Sequence, residues 1–515
     1  MPEIDIDPTT RIEGHHGITL QVDGEGAVTE AKSKMEMFRG AEIVTLGRPP
    51  SDAPQITGMV CGVCFLCHRF CSSKAAEDAA MASDDVDFGG PPDNAVLLRD
   101  TVEGIFYLWN HAVHLFALAG PDYSDAVAGT GFERLDPLEG DGYLGAMQAQ
   151  RKVMKALAEF GGRAPHPVAY TPGGLATRPD RSTIQAVKNR VAEVSEWLGP
   201  TENVPQIIEN VQNGEFDPSL GEGLHDIVSI ILAAAEAGAA DLGEGPDRFY
   251  TNGMFEQPDT GELFLTRGVY RDGSIEELTK DEIVAGITED TEYAWYTDES
   301  GGSPTDAQPP EPAPDKEAAY SWGKAPRFEG QSMEVGPLAR MVVTDLDPFD
   351  LRATLGGGKA ASNTLNRLIA RAQETLVVRD QLMDWLNAVD PDKPFMADDW
   401  TDEFTGKGVG LMEASRGSLS HYMDVENGEI ERYQIITPTI WNLGPRDAQG
   451  NPSPLEDGVV GDVVENVENP MAVLRTIRSM DPCLACSVHV QSPTTEFETE
   501  VEPVAPELGG GRCDI

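Results

Sequence analysis

Apolar and polar residues alternate from Ile4 to Ala31, through the stretch ITLQVDGEGAVTEAK, and the pattern turns at Gly24 and Gly26. A period of two broken by glycines predicts a β-hairpin. The period then lengthens to that of a helix at Ala95–Ala119, which places His111, His114 and Leu118 on one face. The same period returns at Gly145–Phe160, Arg181–Leu198, Leu224–Ala240, Lys359–Val389 and Met471–Met480. Glycine and proline punctuate the intervals, as in GGRAPHPVAYTPGG at 161–174. Residues 296–316 are polar, acidic and rich in proline, and predict an exposed insertion. Ile430–Ile440 predicts further strand, and no internal repeat is visible. The pattern describes a mostly helical α+β chain: a central helix bundle with small peripheral β elements.

Composition adds the solvent. The 515 residues carry 38 Lys+Arg against 87 Asp+Glu, a formal net charge of −49. Such a surface repels phosphate and excludes nucleic acid as a partner. The acids are spread along the chain and 40% of residues are hydrophobic, so the charge coats a folded protein. Molar salt shortens the Debye length to about 3 Å and would relieve the self-repulsion. We therefore expect a halophilic protein. No secretory signal or spanning helix is expected: the most apolar stretch, Ala95–Gly120, holds Arg99, Asp100, Glu103, His111 and His114.

Chemistry enters with the cysteines. Cys61 and Cys64 form one Cys-x-x-Cys pair and Cys483 and Cys486 another, more than 400 residues apart. Each spacing suits one soft metal ion, and two pairs make a four-thiolate site that draws the chain's ends together. A structural zinc is the plain reading of such a set. Three features favour a buried redox centre instead. His68 and His489 follow the two pairs, the second pair sits in DPC at 481–483 behind a helical pattern, and the surrounding chain is large and apolar.

With these pairs, a collinear set of motifs resembles the large subunit of nickel–iron hydrogenases. It runs through RIEGH at 11–15, MFRGAE at 37–42, CGVCFLCH at 61–68, HLFALAGPD at 114–122 and FGGRAPHP at 160–167. It continues with YSWGKAPRFEG at 320–330, EVGPLAR at 334–340, EASRGSLSH at 413–421, YQIITPTIWNLGPRD at 433–447 and DPCLACSVH at 481–489. The resemblance implies one catalytic region over residues 1–489, with the nickel–iron hydrogenase large-subunit fold. It also implies the reaction H2 ⇌ 2H⁺ + 2e⁻.

It implies roles as well. Cys61 and Cys483 would be terminal thiolates on nickel, and Cys64 and Cys486 would bridge nickel to an iron carrying one carbon monoxide and two cyanides. Arg416 would sit beside the open metal position and one cyanide, with Asp122 as its carboxylate partner, and Thr439 would donate to the other cyanide. Glu13 would stand at the mouth of the proton path, and His68 would hydrogen-bond the bridging Cys64. Glu42 and His489 would hold Mg²⁺ or a similar divalent cation near the processed C-terminus. His111, His114 and His166 read as core or hydrogen-bonding residues.

The chain departs from the family pattern at Met59 and Val60 before the first cysteine, at Ser415 before Arg416, and in the additional Cys67 and Cys71, which read as small buried hydrophobes. The resemblance further implies a small subunit bearing iron–sulfur clusters, nickel-insertion factors, and a maturation endopeptidase that removes residues 490–515. A membrane cytochrome reached through the small subunit would fit a membrane-associated pair, co-exported to the outer face, oxidising H2. A cytoplasmic form is the alternative in location. A hydrogen-sensing module and a zinc-stapled structural protein are the alternatives in function.

Overall fold

A computed structural model describes residues 2–38, 40–124, 132–257 and 260–487, and it is 44% helical and 18% strand. Three antiparallel strands open the chain: β1 (Glu3–Ile6), β2 (His16–Val22) and β3 (Val28–Met35). The expected hairpin is therefore the inner part of a three-stranded sheet. Ile18, Leu20 and Met35 on its buried face pack against Val473, Ile477 and Leu484 from the end of the chain. Each such side chain removed from water contributes roughly 1.5–3 kcal/mol. Apolar burial thus brings the N-terminal sheet and the 473–484 segment together before any metal is considered.

The principal helices are α1 (Phe65–Met81), α2 (Asp93–Val113), α3 (Asp141–Gly161), α4 (Arg181–Leu198), α5 (Glu222–Glu236) and α6 (Thr364–Ala388). Helix α2 continues as a π turn over His114–Ala119, so the sequence pattern marks its full extent. Helix α6 begins at Thr364, because the Asn363 side chain accepts from the Asn366 amide and caps it there. One shared hydrophobic core joins these helices. Helix α1 is not visible in the periodicity, because its fourteen buried residues include His68, Arg69, Ser72, Ser73 and Glu77, so apolar residues do not recur at helical spacing.

A second three-stranded antiparallel sheet comprises β4 (Gly406–Ala414), β5 (Gly417–Glu426) and β6 (Glu429–Ile436). Helix α1 lies on β4 at backbone range. A Cβ added to Gly406, Gly408 or Gly410 would fall 2.3, 2.2 and 2.1 Å from the carbonyls of Ala79, Ala75 and Cys71 respectively. Ala414 pairs with Gly417, so Ser415 and Arg416 form the turn of the β4–β5 hairpin.

The strand expected over Ile430–Ile440 stops at Ile436. Thr437 then accepts from the Ile440 amide and Pro438 occupies the first turn, which starts helix α7 (Pro438–Leu443). Helices α8 (Met471–Ser479) and α9 (Leu484–Ser487) complete the described chain. The 296–316 segment is not a freely exposed insertion. Tyr296, Ser300 and Ala307 are buried, the Thr297 amide donates to the Glu311 carbonyl, and Arg432 holds the Pro304 carbonyl. Residues 490–515 and His489 lie outside the described residues.

Candidate metal centre

The first cysteine pair is presented by the start of α1, where Cys64 is the N-cap, and the second by the loop into α9. Cys64 Sγ lies 3.2 Å and Cys61 Sγ 3.4 Å from Cys483 Sγ. All three sulfurs fall within 4.8 Å of one another, all are buried, and none is in a disulfide. The Val63 and Cys64 amides donate to Cys61 Sγ at 3.2 and 3.3 Å, which favours the thiolate. Cys486 belongs to α9, and its side chain lies outside the described residues.

Glu13 reaches this cluster from the loop between β1 and β2. Its backbone bridges Cys483, with the Leu484 amide donating to the Glu13 carbonyl at 2.9 Å. Its Oε2 accepts from Cys483 Sγ at 3.1 Å and from the Ala485 amide at 3.0 Å. Burial raises the Glu13 carboxyl, and the Cys61 charge raises it further, against those two hydrogen bonds. A carboxyl so placed can accept and release a proton beside sulfur.

Arg416 reaches the cluster from the hairpin turn. Nη1 donates to Cys64 Sγ at 3.3 Å, and Nε lies 3.1 Å from both the carbonyl and a carboxylate oxygen of Asp481. Asp481 is held in turn by Arg371 at 3.0 Å and Asn110 at 2.9 Å. Burial opposes its charge, but Arg416 and its neighbours keep the carboxyl well below the usual carboxylate range. The anticipated Asp122 partner stands elsewhere. Asp122 Oδ1 takes Arg478 at 2.7 Å and also meets Arg11, tying the RIEGH loop to α8. The physical reason is position: Asp122 ends a 3-10 turn beneath those two arginines, whereas Asp481 precedes the second cysteine pair in a left-handed backbone conformation with φ 53°. The local signal for Asp481 was present in DPC, but its pairing is long-range.

Thr439 sits in the first turn of α7, and its Oγ1 accepts from the Cys483 amide at 3.0 Å. The His68 ring, on α1, meets His421 on β5, with Nδ1 to Nε2 at 3.1 Å. Burial lowers its pKa to about 4, so the ring is neutral. Glu42 accepts from the Ile435 amide at 2.8 Å; burial pushes its carboxyl up to about 7, with Lys324 opposing. His489, its expected partner, falls outside the described residues. Cys67 and Cys71 are buried, with thiols donating to Glu103 Oε1 at 3.1 Å and the Gly410 carbonyl at 3.2 Å.

Behind Asp481 runs an ion network that sequence reading did not anticipate. His111 meets Glu374 at 2.8 Å, and Arg340 spans Glu374 at 2.6 Å and Glu413 at 2.8 Å. Burial alone would raise Glu374, but Arg340 and His111 hold it at about 2. His114 contacts the Arg478 carbonyl at 2.7 Å and His166 the Gly58 carbonyl at 2.8 Å.

The donor set fits a soft metal pair better than a structural ion. Three buried thiols converge, and a guanidinium and a carboxyl press directly on the sulfurs. A closed zinc site has no use for either.

Comparison with known proteins follows the same lines. The family model described as nickel-dependent hydrogenase matches residues 39–136 and 138–489, and a HoxL-like model matches residues 3–36. The chain is 32% identical over 533 residues to the periplasmic NiFeSe hydrogenase large subunit of Desulfomicrobium baculatum, covering 96% of each chain. It is 30% identical over 585 residues to the uptake hydrogenase large subunit of Bradyrhizobium diazoefficiens, covering 95% of each. The crystal structure of a reduced, active form of the Ni-Fe-Se hydrogenase from Desulfomicrobium baculatum superposes with a TM-score of 0.81 at 29% identity, over 95% of this chain and 100% of that one.

Proposed function

Because the chain belongs to the nickel-dependent hydrogenase family as a large catalytic subunit, we propose that it splits H2 at a nickel–iron centre held by Cys61, Cys64, Cys483 and Cys486. The observation that carries this is the convergence of three buried thiols with Arg416 on one and Glu13 on another. Nickel and iron, when bound, supply the soft site at which H2 is cleaved heterolytically. The remaining work belongs to this chain's residues. Glu13 Oε2, beside Cys483, would receive the proton released by the cleavage. Arg416, fixed by Asp481, holds positive charge against Cys64 and excludes water from that side. Thr439 accepts from the Cys483 amide, which leaves its hydroxyl proton available, and it would donate it to a cyanide carried by the iron. His68 adjusts the sulfur environment from α1.

Finer readings belong to the same proposal. H2 uptake is favoured by the similarity to the Bradyrhizobium relative. Electrons leave through an iron–sulfur small subunit, since the described residues hold no further cluster of metal-ligating cysteines. No helix among the described residues is long and apolar enough to cross a membrane, so attachment would come from partners. Glu42 and His489 are assigned to Mg²⁺, and the chain is assigned processing after His489. The net charge of −49 supports a salt-rich setting.

Metal analysis with infrared spectroscopy tests the centre. Nickel and iron with metal-bound CO and CN bands are expected, and zinc alone without those bands would overturn the assignment. Mass spectrometry of the native protein tests processing: a chain ending at His489 is expected, and a retained 490–515 segment refutes it.

A further inference from the structure

A guanidinium carries five N–H groups, and in Arg340 all five are engaged at a fully buried position. Nε and Nη2 donate to the two oxygens of Glu374 at 2.6 and 2.7 Å, and Nη1 donates to Glu413 Oε2 at 2.8 Å. The other two go to main chain: Nη1 to the Ala414 carbonyl at 2.9 Å and Nη2 to the Ser415 carbonyl at 3.0 Å. Those are the two residues immediately before Arg416. Arg340 itself lies in a short helix, Pro337–Val343, that starts against the same hairpin turn. A Cβ added to Gly417 would fall 2.8 Å from the Gly336 amide nitrogen.

A second arm returns to the Arg416 side chain. His111 Nε2 meets Glu374 Oε2 at 2.8 Å, and its Nδ1 meets Arg371 Nη1 at 3.3 Å. A guanidinium only donates, so Nδ1 carries the lone pair and Nε2–H donates to the carboxylate. Burial lowers the ring's pKa to about 4, in agreement with that neutral form. Arg371 Nη1 also donates to Asp481 Oδ2 at 3.0 Å. Asp481 in turn meets Arg416 Nε at 3.1 Å through its other carboxylate oxygen and its carbonyl. The circuit closes on one residue: Arg340 holds the backbone leading into Arg416, and Glu374, His111 and Arg371 link it to the carboxylate holding the Arg416 side chain. Every side chain in it is buried. Buried ion pairs add little stability over well-packed apolar side chains, so stability alone does not account for the circuit.

We propose that Arg340 is a positioning residue for Arg416, setting both the hairpin turn that presents the guanidinium and the carboxylate that aims it at Cys64. The proposal rests on the reading of Arg416 as a catalytic group beside the metal thiolates. A catalytic group misplaced by about 1 Å loses about 10²-fold in rate. Arg340→Lys keeps the charge but offers its donors from a single nitrogen, which cannot span Glu374, Glu413 and two carbonyls together.

The test uses the metal-loaded heterodimer carrying Arg340→Lys, Arg416→Lys or both. Arg340→Lys should lower kcat for H2 oxidation about 10²-fold and leave KM for H2 unchanged, because the aim of Arg416 bears on cleavage and not on H2 entry. In the Arg416→Lys background the same substitution should cost less than about threefold, since the group it positions is gone. A crystal structure of the Arg340→Lys heterodimer should show Arg416 Nη1 beyond hydrogen-bond distance of Cys64 Sγ. Glu374→Gln keeps the side-chain shape but sets its NH2 group against an N–H of Arg340 whichever way it turns. It should show the same dependence on Arg416, and it carries the test if Arg340→Lys does not fold. Equal rate losses in the two backgrounds, or an Arg416 that stays on Cys64 while only the melting temperature falls, overturn the proposal. Absence of CO and CN bands from the wild type would instead overturn the metal reading, and the Arg416–Cys64 distance in the variant would still decide the positioning.

Discussion

Glu13 and Cys483 stand 470 positions apart in sequence, yet their side chains meet at 3.1 Å and their backbones pair as neighbouring strands do. The carboxyl proposed to accept the proton and a thiolate proposed to hold nickel are therefore registered by main-chain hydrogen bonds, so a side-chain substitution at Glu13 is expected to leave the loop in place.

Glu13→Gln keeps the length of the side chain and an oxygen to accept from the Ala485 amide, but cannot take up a proton. H2 oxidation should fall about 10²–10⁴-fold, the range for loss of a general acid–base group. Metal content should stay at the wild-type level. An unchanged rate would remove Glu13 from the proton path.

Arg416→Lys preserves charge and loses the planar fork that reaches Cys64 and Asp481 together. Activity should drop about 10²–10³-fold, as for removal of one preorganised donor. Asp122→Asn, whose carboxylate braces Arg11 and Arg478, should instead lower the melting temperature and spare the rate of the folded fraction. Thermal melts and kinetics on the two variants separate these effects.

Acid should unfold the protein partly through His16. Its ring is buried between Thr9 and Ser33, each at 3.0 Å, and burial lowers its pKa to about 3. The unfolded chain takes up a proton below about pH 6.5 and the folded one does not, so stability is complete above that value and declines toward pH 3. The decline is about 1.4 kcal/mol per pH unit for this group alone. His16→Gln should flatten the slope of melting temperature against pH between about 6.5 and 4 by that one proton. An identical slope would show that His16 is charged in the folded state.

Salt should have the opposite sense. At a net charge of −49, raising potassium chloride from about 0.1 to about 1 M shortens the Debye length from about 10 to about 3 Å and should raise the melting temperature. A melting temperature that is flat or falls with salt would contradict halophilic adaptation.

Periodicity located α4, which has one buried and one exposed face, and α2, whose apolar residues recur at helical spacing although seventeen of its residues are buried. It passed over α1, whose buried residues include His68, Arg69 and Glu77, and ran a strand past Thr437, where a local cap wins over apolar pattern. The cysteine pairs, Glu13, Arg416 and Thr439 were legible because each lies within a distinctive local motif. Their partners were not. Asp481 serves Arg416 from 65 positions away, and Asn110 holds Asp481 across 371, and no spacing rule encodes such pairings.

The three glycines of β4 have a consequence for how much this surface can vary. Because Gly406, Gly408 and Gly410 let the hairpin rest directly on the peptide units of α1, the separation between Cys64 at one helix end and Arg416 at the hairpin tip works as a ruler graduated in backbone atoms. Side chains elsewhere can be exchanged wholesale, even to the density of acid this chain carries, without recalibrating it. A single methyl group at Gly410 would shift the scale at its middle.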